Sequence, residues 1–120
     1  MTYPFHLGEY SRPITVATPQ AQTWFDRGLA WVYGFNHEEA AICFRRAVEI
    51  DPTCAMAHWG IALASGPFYN LPWEWMSEDE AANAILICYN AVQNALKLSG
   101  NTFPVERALI YALSQRYPKA

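Results

Sequence analysis

The chain divides into apolar-rich segments separated by residues that cap or break helices. Thr18 is suited to cap a helix and Pro19 to occupy its first position. This first helix should run to about Tyr33, where Gly34 would supply a left-handed stop. The order of cap, proline, apolar segment and glycine is what an isolated helical unit requires.

The next two helices follow the same logic. Asn36 and Glu39 form a capping pair that starts a second helix ending near Ile50. Asp51-Pro52 then restarts the chain as a third helix, which Gly66-Pro67 ends. The third helix, TCAMAHWGIALAS, contains no Asp, Glu, Lys or Arg, and such a helix is expected to be covered on all sides.

Two more helices complete the pattern. Ser77 and Glu80 form a capping pair that opens a fourth helix through about Ser99, and Pro104 starts a fifth that runs to about Arg116. The first 17 residues contain prolines and a glycine, which favour an extended N-terminal arm. No segment is typical of a strand, so the predicted class is all-α, with about five helices in antiparallel pairs.

Composition and charge narrow the function classes. Of the 120 residues, 52% are hydrophobic and only 16% are charged, so the chain either buries its apolar residues well or presents an apolar surface to a partner. The net charge of -3 with scattered Lys and Arg argues against a nucleic-acid partner. No apolar run approaches the roughly 20 residues of a membrane span, and the start does not resemble a secretory signal, so we expect a cytoplasmic protein.

An internal repeat accounts for the large aromatic and small residues. Gly28 and Gly60 are 32 positions apart in similar surroundings. Small residues are needed where two antiparallel helices approach closely, and aromatic residues fill the space around them. In the first unit, the small and aromatic residues of this pattern, with the proline that follows them, are Trp24, Gly28, Trp31, Ala40, Phe44, Ala47 and Pro52.

This series resembles the tetratricopeptide repeat over residues 21–54. The second unit matches less well, with Gly60 at the glycine position and Ala84, Cys88 and Ala91 in the following helix. The resemblance implies a short right-handed solenoid in a helical domain 18–117: repeat one at about 21–52, repeat two at about 53–99 with a loop at 66–76, and a half repeat at 104–117.

The running text of residues 7 to 118 is also similar to a group of tetratricopeptide-like proteins of bacteria and fungi. The resemblance implies relatives that are longer and continue into further repeats, so we expect the chain to correspond to an N-terminal portion. The resemblance implies a scaffold that binds proteins or peptides, and it implies neither a reaction nor a cofactor.

By the same resemblance, the first helix of each repeat would line a concave, apolar and aromatic groove for a partner. The groove positions are Gln22, Phe25, Leu29, Val32, Tyr33, Ala57 and Ile61. A second candidate surface is the loop that carries Tyr69, Trp73 and Trp75, which either covers the helices or forms an aromatic lip.

The fifth helix carries apolar residues for which the chain offers no obvious cover. Leu109, Ile110 and Leu113 are therefore expected to mediate self-association, unless the arm or a partner covers them. The leading hypothesis is an interaction scaffold without enzymatic activity that forms homo-oligomers.

An alternative from another class is a metal- or thiol-dependent small-molecule site. Cys54 and His58 are four residues apart and project from one helix face, a geometry that suits two metal ligands. Cys43 and His37 are the nearest further candidates. Metal sites need about three or four protein ligands, and HEEAA lacks the second histidine of the HExxH motif, so this alternative ranks second.

Overall fold

The structure, a computed structural model, describes residues 14–66 and 77–117. In these two ranges the chain forms five α-helices and no strand, so the predicted all-α class is confirmed. A 3₁₀ turn at Ser99–Asn101 follows the fourth helix. The helices are α1 (Pro19–Tyr33), α2 (His37–Ile50), α3 (Ala55–Ser65), α4 (Glu78–Leu98) and α5 (Pro104–Ser114).

Side-chain caps start α1, α2 and α4 where the sequence predicted them. The Thr18 hydroxyl accepts the N–H of Ala21 at 3.2 Å. Asn36 Oδ1 accepts the N–H of Glu39 at 3.1 Å, and Ser77 Oγ accepts the N–H of Glu80 at 3.1 Å. Each cap satisfies an N–H group that the helix itself leaves unpaired, so local chemistry determines where these helices begin.

The left-handed residue at the end of α1 is not Gly34, as the sequence suggested, but Phe35. Gly34 has φ −83°, whereas Phe35 has φ 63°. The N–H of Phe35 bonds to the carbonyl of Val32 at 3.0 Å, and that of Asn36 to the carbonyl of Trp31 at 2.9 Å. This bonding pair defines a Schellman motif, in which the left-handed position is the second residue after the helix. The prediction was therefore wrong by one residue.

The order of packing follows the chain: α1 contacts α2 and α3, and α3 contacts α4 and α5. At the centre, the fully buried Phe44 of α2 lies against both glycines of the repeat. A Cβ atom built on Gly28 would lie 2.6 Å from Phe44 Cδ1, and one built on Gly60 would lie 2.6 Å from Phe44 Cγ. Phe25 packs on the same ring, with ring centroids 5.6 Å apart. Both glycines are thus required by the close approach of one aromatic ring.

A second, smaller core joins α3, α4 and the end of α5. Cys88 is fully buried in this core and donates from Sγ to the carbonyl of Ala62 at 3.4 Å. Tyr117, just beyond α5, is buried in the same cluster. Among its described members, this core has no large aromatic ring that packs against two glycines as Phe44 does.

A membrane span requires a helix that is both long and continuously apolar. None of the helices in ranges 14–66 and 77–117 combines the length and the apolarity needed to cross a membrane.

Replacing Gly60 by Ala tests the close contact between Phe44 and this glycine, with Gly100→Ala as the matched control. The added methyl overlaps the Phe44 ring at position 60, whereas nothing lies within 4 Å of a Cβ at position 100. We expect Gly60→Ala to lower the free energy of unfolding by about 1–3 kcal/mol, and Gly100→Ala to change it by less than about 1 kcal/mol in either direction. Urea unfolding followed by circular dichroism measures both variants. Equal unfolding midpoints for Gly60→Ala and Gly100→Ala would contradict the close contact between Gly60 and Phe44.

Candidate functional site

Asp51, at the joint between α2 and α3, is a buried carboxylate that receives three hydrogen bonds. Its Oδ1 accepts the Thr53 N–H at 3.1 Å and the Thr53 hydroxyl at 2.6 Å. Its Oδ2 accepts the main-chain N–H of Ala17 at 2.7 Å. Only 3% of Asp51 is exposed, so these donors take the place of water around the charge. Asp51 thus shapes its own turn and also binds a distant segment.

Glu106, in the first turn of α5, is a second buried carboxylate with the same double role. Its Oε2 accepts the N–H of Phe103 at 3.0 Å, which completes one half of a capping box. Thr15 supplies the other bonds: its N–H donates to Oε1 at 3.0 Å and its hydroxyl to Oε2 at 2.8 Å. Glu106 is 2% exposed. A residue 91 positions earlier in the chain therefore binds the start of α5.

The segment from Ile14 to Ala17 is called the arm segment, and its anchor side chains Gln22, Asp51 and Glu106 are called the clasp. Gln22 Oε1 completes the set by accepting the N–H of Ile14 at 3.0 Å. The Ile14 side chain is buried in the main core cluster. The rest of the predicted N-terminal arm, residues 1–13, lies outside the described residues. The arm segment thus links α1, the α2–α3 joint and α5 through side chains of the clasp.

The ionisation of Asp51 reflects this environment. Burial raises its pKa, but the hydrogen bonds from Thr53 and Ala17 and the nearby His58 outweigh burial, so the pKa lies below the usual 3.8. Donors directed at the carboxylate stabilise its charged form. The Asp51 side chain is therefore a charged carboxylate at neutral pH, and in this form it accepts the hydrogen bond from the arm segment.

An apolar pocket of about 130 Å³ lies beside the clasp. Gln22 of the clasp and Phe25 of the pocket are three positions apart on α1, and Glu106 and Leu109 are three apart on α5. Positions three apart share a helix face, so clasp and pocket are neighbours one helical turn apart. The pocket is lined by side chains of three helices: Phe25, Leu29, Tyr33, Met56, Trp59 and Leu109.

The predicted groove positions differ in how accessible they are. Phe25, Leu29 and Ala57 are buried in the core, where Ile14 and Ile110 belong to the same cluster. Val32 and Ile61 are partly buried, and Gln22 bonds to the arm segment and to Asp26. Tyr33 is 61% exposed. The structure therefore brings Phe25, Leu29 and Tyr33 together at the pocket rather than along an open groove.

The expectation that Leu109, Ile110 and Leu113 are uncovered was wrong. Ile110 and Leu113 are buried, and Leu109 packs partly against the main core. The reason is that α5 contacts both α3 and α4, so that the chain itself covers this face. The large exposed apolar side chains of α5 and its start are instead Phe103, Val105 and Tyr111. The other candidate surface, the aromatic loop with Tyr69, Trp73 and Trp75, lies outside the described residues.

Two of the metal candidates, His58 and Cys54, have structural explanations at the α2–α3 joint. His58 Nε2 lies 3.0 Å from the carbonyl oxygen of Pro52, where the ring closes the turn before α3. Cys54 is the N-cap residue of α3 and is buried. Cys43 is buried on α2, and His37 begins that helix. In ranges 14–66 and 77–117, no three His, Cys, Asp or Glu residues are close enough to share a metal ion.

The environment of Cys54 also works against thiolate chemistry. Burial, together with the negative charges of Asp51 and Glu106, raises its pKa to about 11, despite hydrogen bonds from the N–H groups of Ala57 and Met56. The pKa of Cys88 is also raised by burial, against the effects of Tyr117 and Arg116. A thiol is nucleophilic as thiolate, so neither environment activates its sulfur.

The two carboxylates of the clasp were absent from the predicted site, although each had a visible local role. Asp51 was interpreted as a turn residue before Pro52. Glu106 stands two positions after Pro104, a common place for an acidic residue at a helix start. Nothing in the sequence pairs either residue with the arm segment.

Comparison with known protein families gives one match, in the first two helices. Residues 21–54 match the family model of the tetratricopeptide repeat, so this part of the chain is similar to a tetratricopeptide repeat. No curated protein and no solved structure gives a significant match.

Replacing Asp51 by Asn tests the charged anchor. At pH 7 we expect a loss of about 1–3 kcal/mol in the free energy of unfolding, because the carboxamide cannot accept all three donors as an anion does. The folded-state pKa is depressed, so the stabilisation is present above pH 3.8 and disappears as pH falls through the lower, folded-state pKa. The difference in the free energy of unfolding between wild type and Asp51→Asn should therefore become smaller at acidic pH.

The control for this measurement is Glu49→Gln. Glu49 is exposed and pairs across one helix turn with Arg46, at 3.2 Å. Its substitution should change the free energy of unfolding by less than about 1 kcal/mol. Urea denaturation at several pH values measures all three proteins. If the difference in the free energy of unfolding between wild type and Asp51→Asn stays constant down to about pH 2, Asp51 does not stabilise the fold as a charged group.

Proposed function

We propose that this protein is an interaction scaffold that binds an apolar side chain of a partner protein in the pocket beside the clasp. The observation that carries the proposal is the pocket itself, to which α1, α3 and α5 all contribute. Tetratricopeptide repeats generally mediate protein interactions, and the match of residues 21–54 to that family model supports the proposal.

The size and chemistry of the pocket favour a peptide side chain over a small-molecule cofactor. Sites for drug-sized ligands usually measure roughly 300–1,000 Å³, whereas this pocket measures about 130 Å³. Its lining is aliphatic and aromatic, and the exposed Tyr33 stands at its edge. A single Leu, Met or Phe side chain presented by a partner would match these properties. Small apolar pockets of this kind serve as anchor points in protein interfaces.

Selection from a displayed random-peptide library against the folded chain tests this function. We expect enriched peptides that share one large apolar residue and that lose affinity about tenfold or more when Tyr33 is replaced by Ala. Tyr111→Ala is the control, because Tyr111 has nearly the same exposure, 63% against 61%, but lies outside the pocket. Peptides that bind both variants equally would contradict the pocket as the site.

We further propose that the chain self-associates through the exposed start and outer side of α5. Phe103, Val105 and Tyr111 are each about half or more exposed and lie within nine residues of one another. Exposed large apolar side chains often mark contact surfaces when they adjoin one another. This surface replaces the three positions that the sequence suggested.

Sedimentation over a wide concentration range tests self-association. We expect a concentration-dependent dimer whose dissociation constant rises about tenfold or more in Tyr111→Ala, because the substitution removes a large apolar contact. Tyr33→Ala serves here as the control and should leave the dissociation constant unchanged. A wild-type chain that remains monomeric at all concentrations would contradict the proposal.

A further inference from the structure

We infer that the clasp is a binding site for extended polypeptide, that the arm segment occupies it as an intramolecular ligand, and that an extended partner segment of the same chemistry competes with it. The inference rests on the proposed function in one respect, namely that a partner segment reaches this face. It goes further by naming the chemistry of that segment and the regulation of the site.

The contacts of the arm segment are those of a bound peptide. The main-chain N–H groups of Ile14, Thr15 and Ala17 are each received by a side chain of the clasp, at 3.0, 3.0 and 2.7 Å. These acceptors come from α1, the α2–α3 joint and α5, so they are in place once the helices have packed. Helices that already pack against one another present a preformed site to an extended chain.

The clasp recognises an extended backbone as well as particular side chains. Thr15 and Ala17 are two positions apart, and N–H groups so spaced point to the same side of an extended chain. Their acceptors, Glu106 and Asp51, are both carboxylates of which no more than 3% is exposed. Any residue except proline offers the required N–H group, so these two bonds select an extended backbone without proline at either position.

Two side chains of the arm segment add selectivity. Ile14 is buried in the main core cluster, so the first position requires an apolar residue. The Thr15 hydroxyl donates to Glu106 Oε2 at 2.8 Å, so the second position favours Thr or Ser. Val16 packs partly against the main core, so the third position favours an apolar residue, whereas Ala17 is exposed and the fourth position is limited only by its N–H group. The ligand motif is thus apolar, Thr or Ser, apolar, any residue except proline.

Charge excludes one class of competitor. Asp51 and Glu106 present their carboxylates to the segment, and the sulfur of Cys54 lies close enough to be influenced by both. An acidic residue at the second position would bring a third negative charge to this buried region, where repulsion is weakly screened. The partner segment is therefore neutral or basic at the clasp.

The shortness of the arm segment makes exchange with a partner feasible. Within the described part of the arm, three residues, Ile14, Thr15 and Ala17, bond to the clasp, and of these three Ile14 is the buried one. A partner segment must compete with a ligand attached to the same chain, so its apparent affinity falls by the fraction of molecules whose clasp is empty. The arm segment therefore sets the threshold at which a partner binds.

The experiment uses the full chain and a labelled peptide, RPITVAT, which corresponds to residues 12–18. Thr15→Pro in the chain removes both the N–H and the hydroxyl that bind Glu106, while the clasp itself stays intact. We expect this variant to bind the peptide about tenfold or more tightly than wild type, because its clasp is empty more often. Adding Glu106→Gln to Thr15→Pro should weaken peptide binding by about tenfold.

Peptide variants test the motif. RPIPVAT and RPIDVAT should not bind the Thr15→Pro chain, whereas RPLSVAT should bind. A folded Thr15→Pro chain, with wild-type circular dichroism, that binds none of the peptides would overturn the inference. Equal binding of RPITVAT and RPIDVAT would overturn the assigned chemistry.

If Thr15→Pro does not fold, hydrogen exchange on the wild-type chain decides. We expect the amides of Thr15 and Ala17 to exchange about tenfold or more faster than that of Phe44, because the arm segment opens without global unfolding. Exchange at the same rate would show that the arm segment leaves only when the fold does, and would overturn the inference. Failure here is separable from failure of the proposed function, because the pocket is tested through Tyr33 and the clasp through Glu106.

Discussion

The contact of one phenylalanine ring with two glycines organises the rest of this molecule. Phe44 lies against Gly28 of α1 and Gly60 of α3, so one side chain of α2 fixes how closely both neighbouring helices approach it. Protein interiors are close-packed, and a single added methyl group at either glycine has no free space to occupy. The positions of α1 and α3 in turn determine where the clasp and the pocket can form.

Most of this architecture could be predicted because its determinants are local. Caps at Thr18, Asn36 and Ser77 act within three residues, and the repeat spacing by itself singles out Gly28 and Gly60. The mistaken choice of Gly34 over Phe35 shows the limit of such reasoning. Which of two adjacent residues becomes left-handed depends on where the last helical turn closes, and composition alone does not reveal that.

The clasp could not be predicted because its parts are remote in sequence and each carboxylate has a sufficient local explanation. Asp51 suits the turn before α3, and Glu106 suits the start of α5. Their contacts with the arm segment form only in the folded chain, because Thr15 and Glu106 are 91 positions apart in the sequence. Phe25 and Ala57, which the repeat resemblance placed in a groove, are buried in the core cluster that also contains Ile14 and Ile110. A resemblance to a repeat describes its helices and not the segments that pack across them.

The two cores of the molecule differ in what completes them, and this difference gives the arm segment its importance. In the first, Phe44 comes from within the repeat, whereas in the second the corresponding position is the smaller Cys88, which shares a hydrogen bond with Tyr117. The second core thus depends on a residue that follows α5, and α5 is also the helix that Glu106 ties to the arm segment. A ligand that displaces the arm segment bonds in its place to Glu106 at the start of α5, the helix that carries the proposed self-association surface.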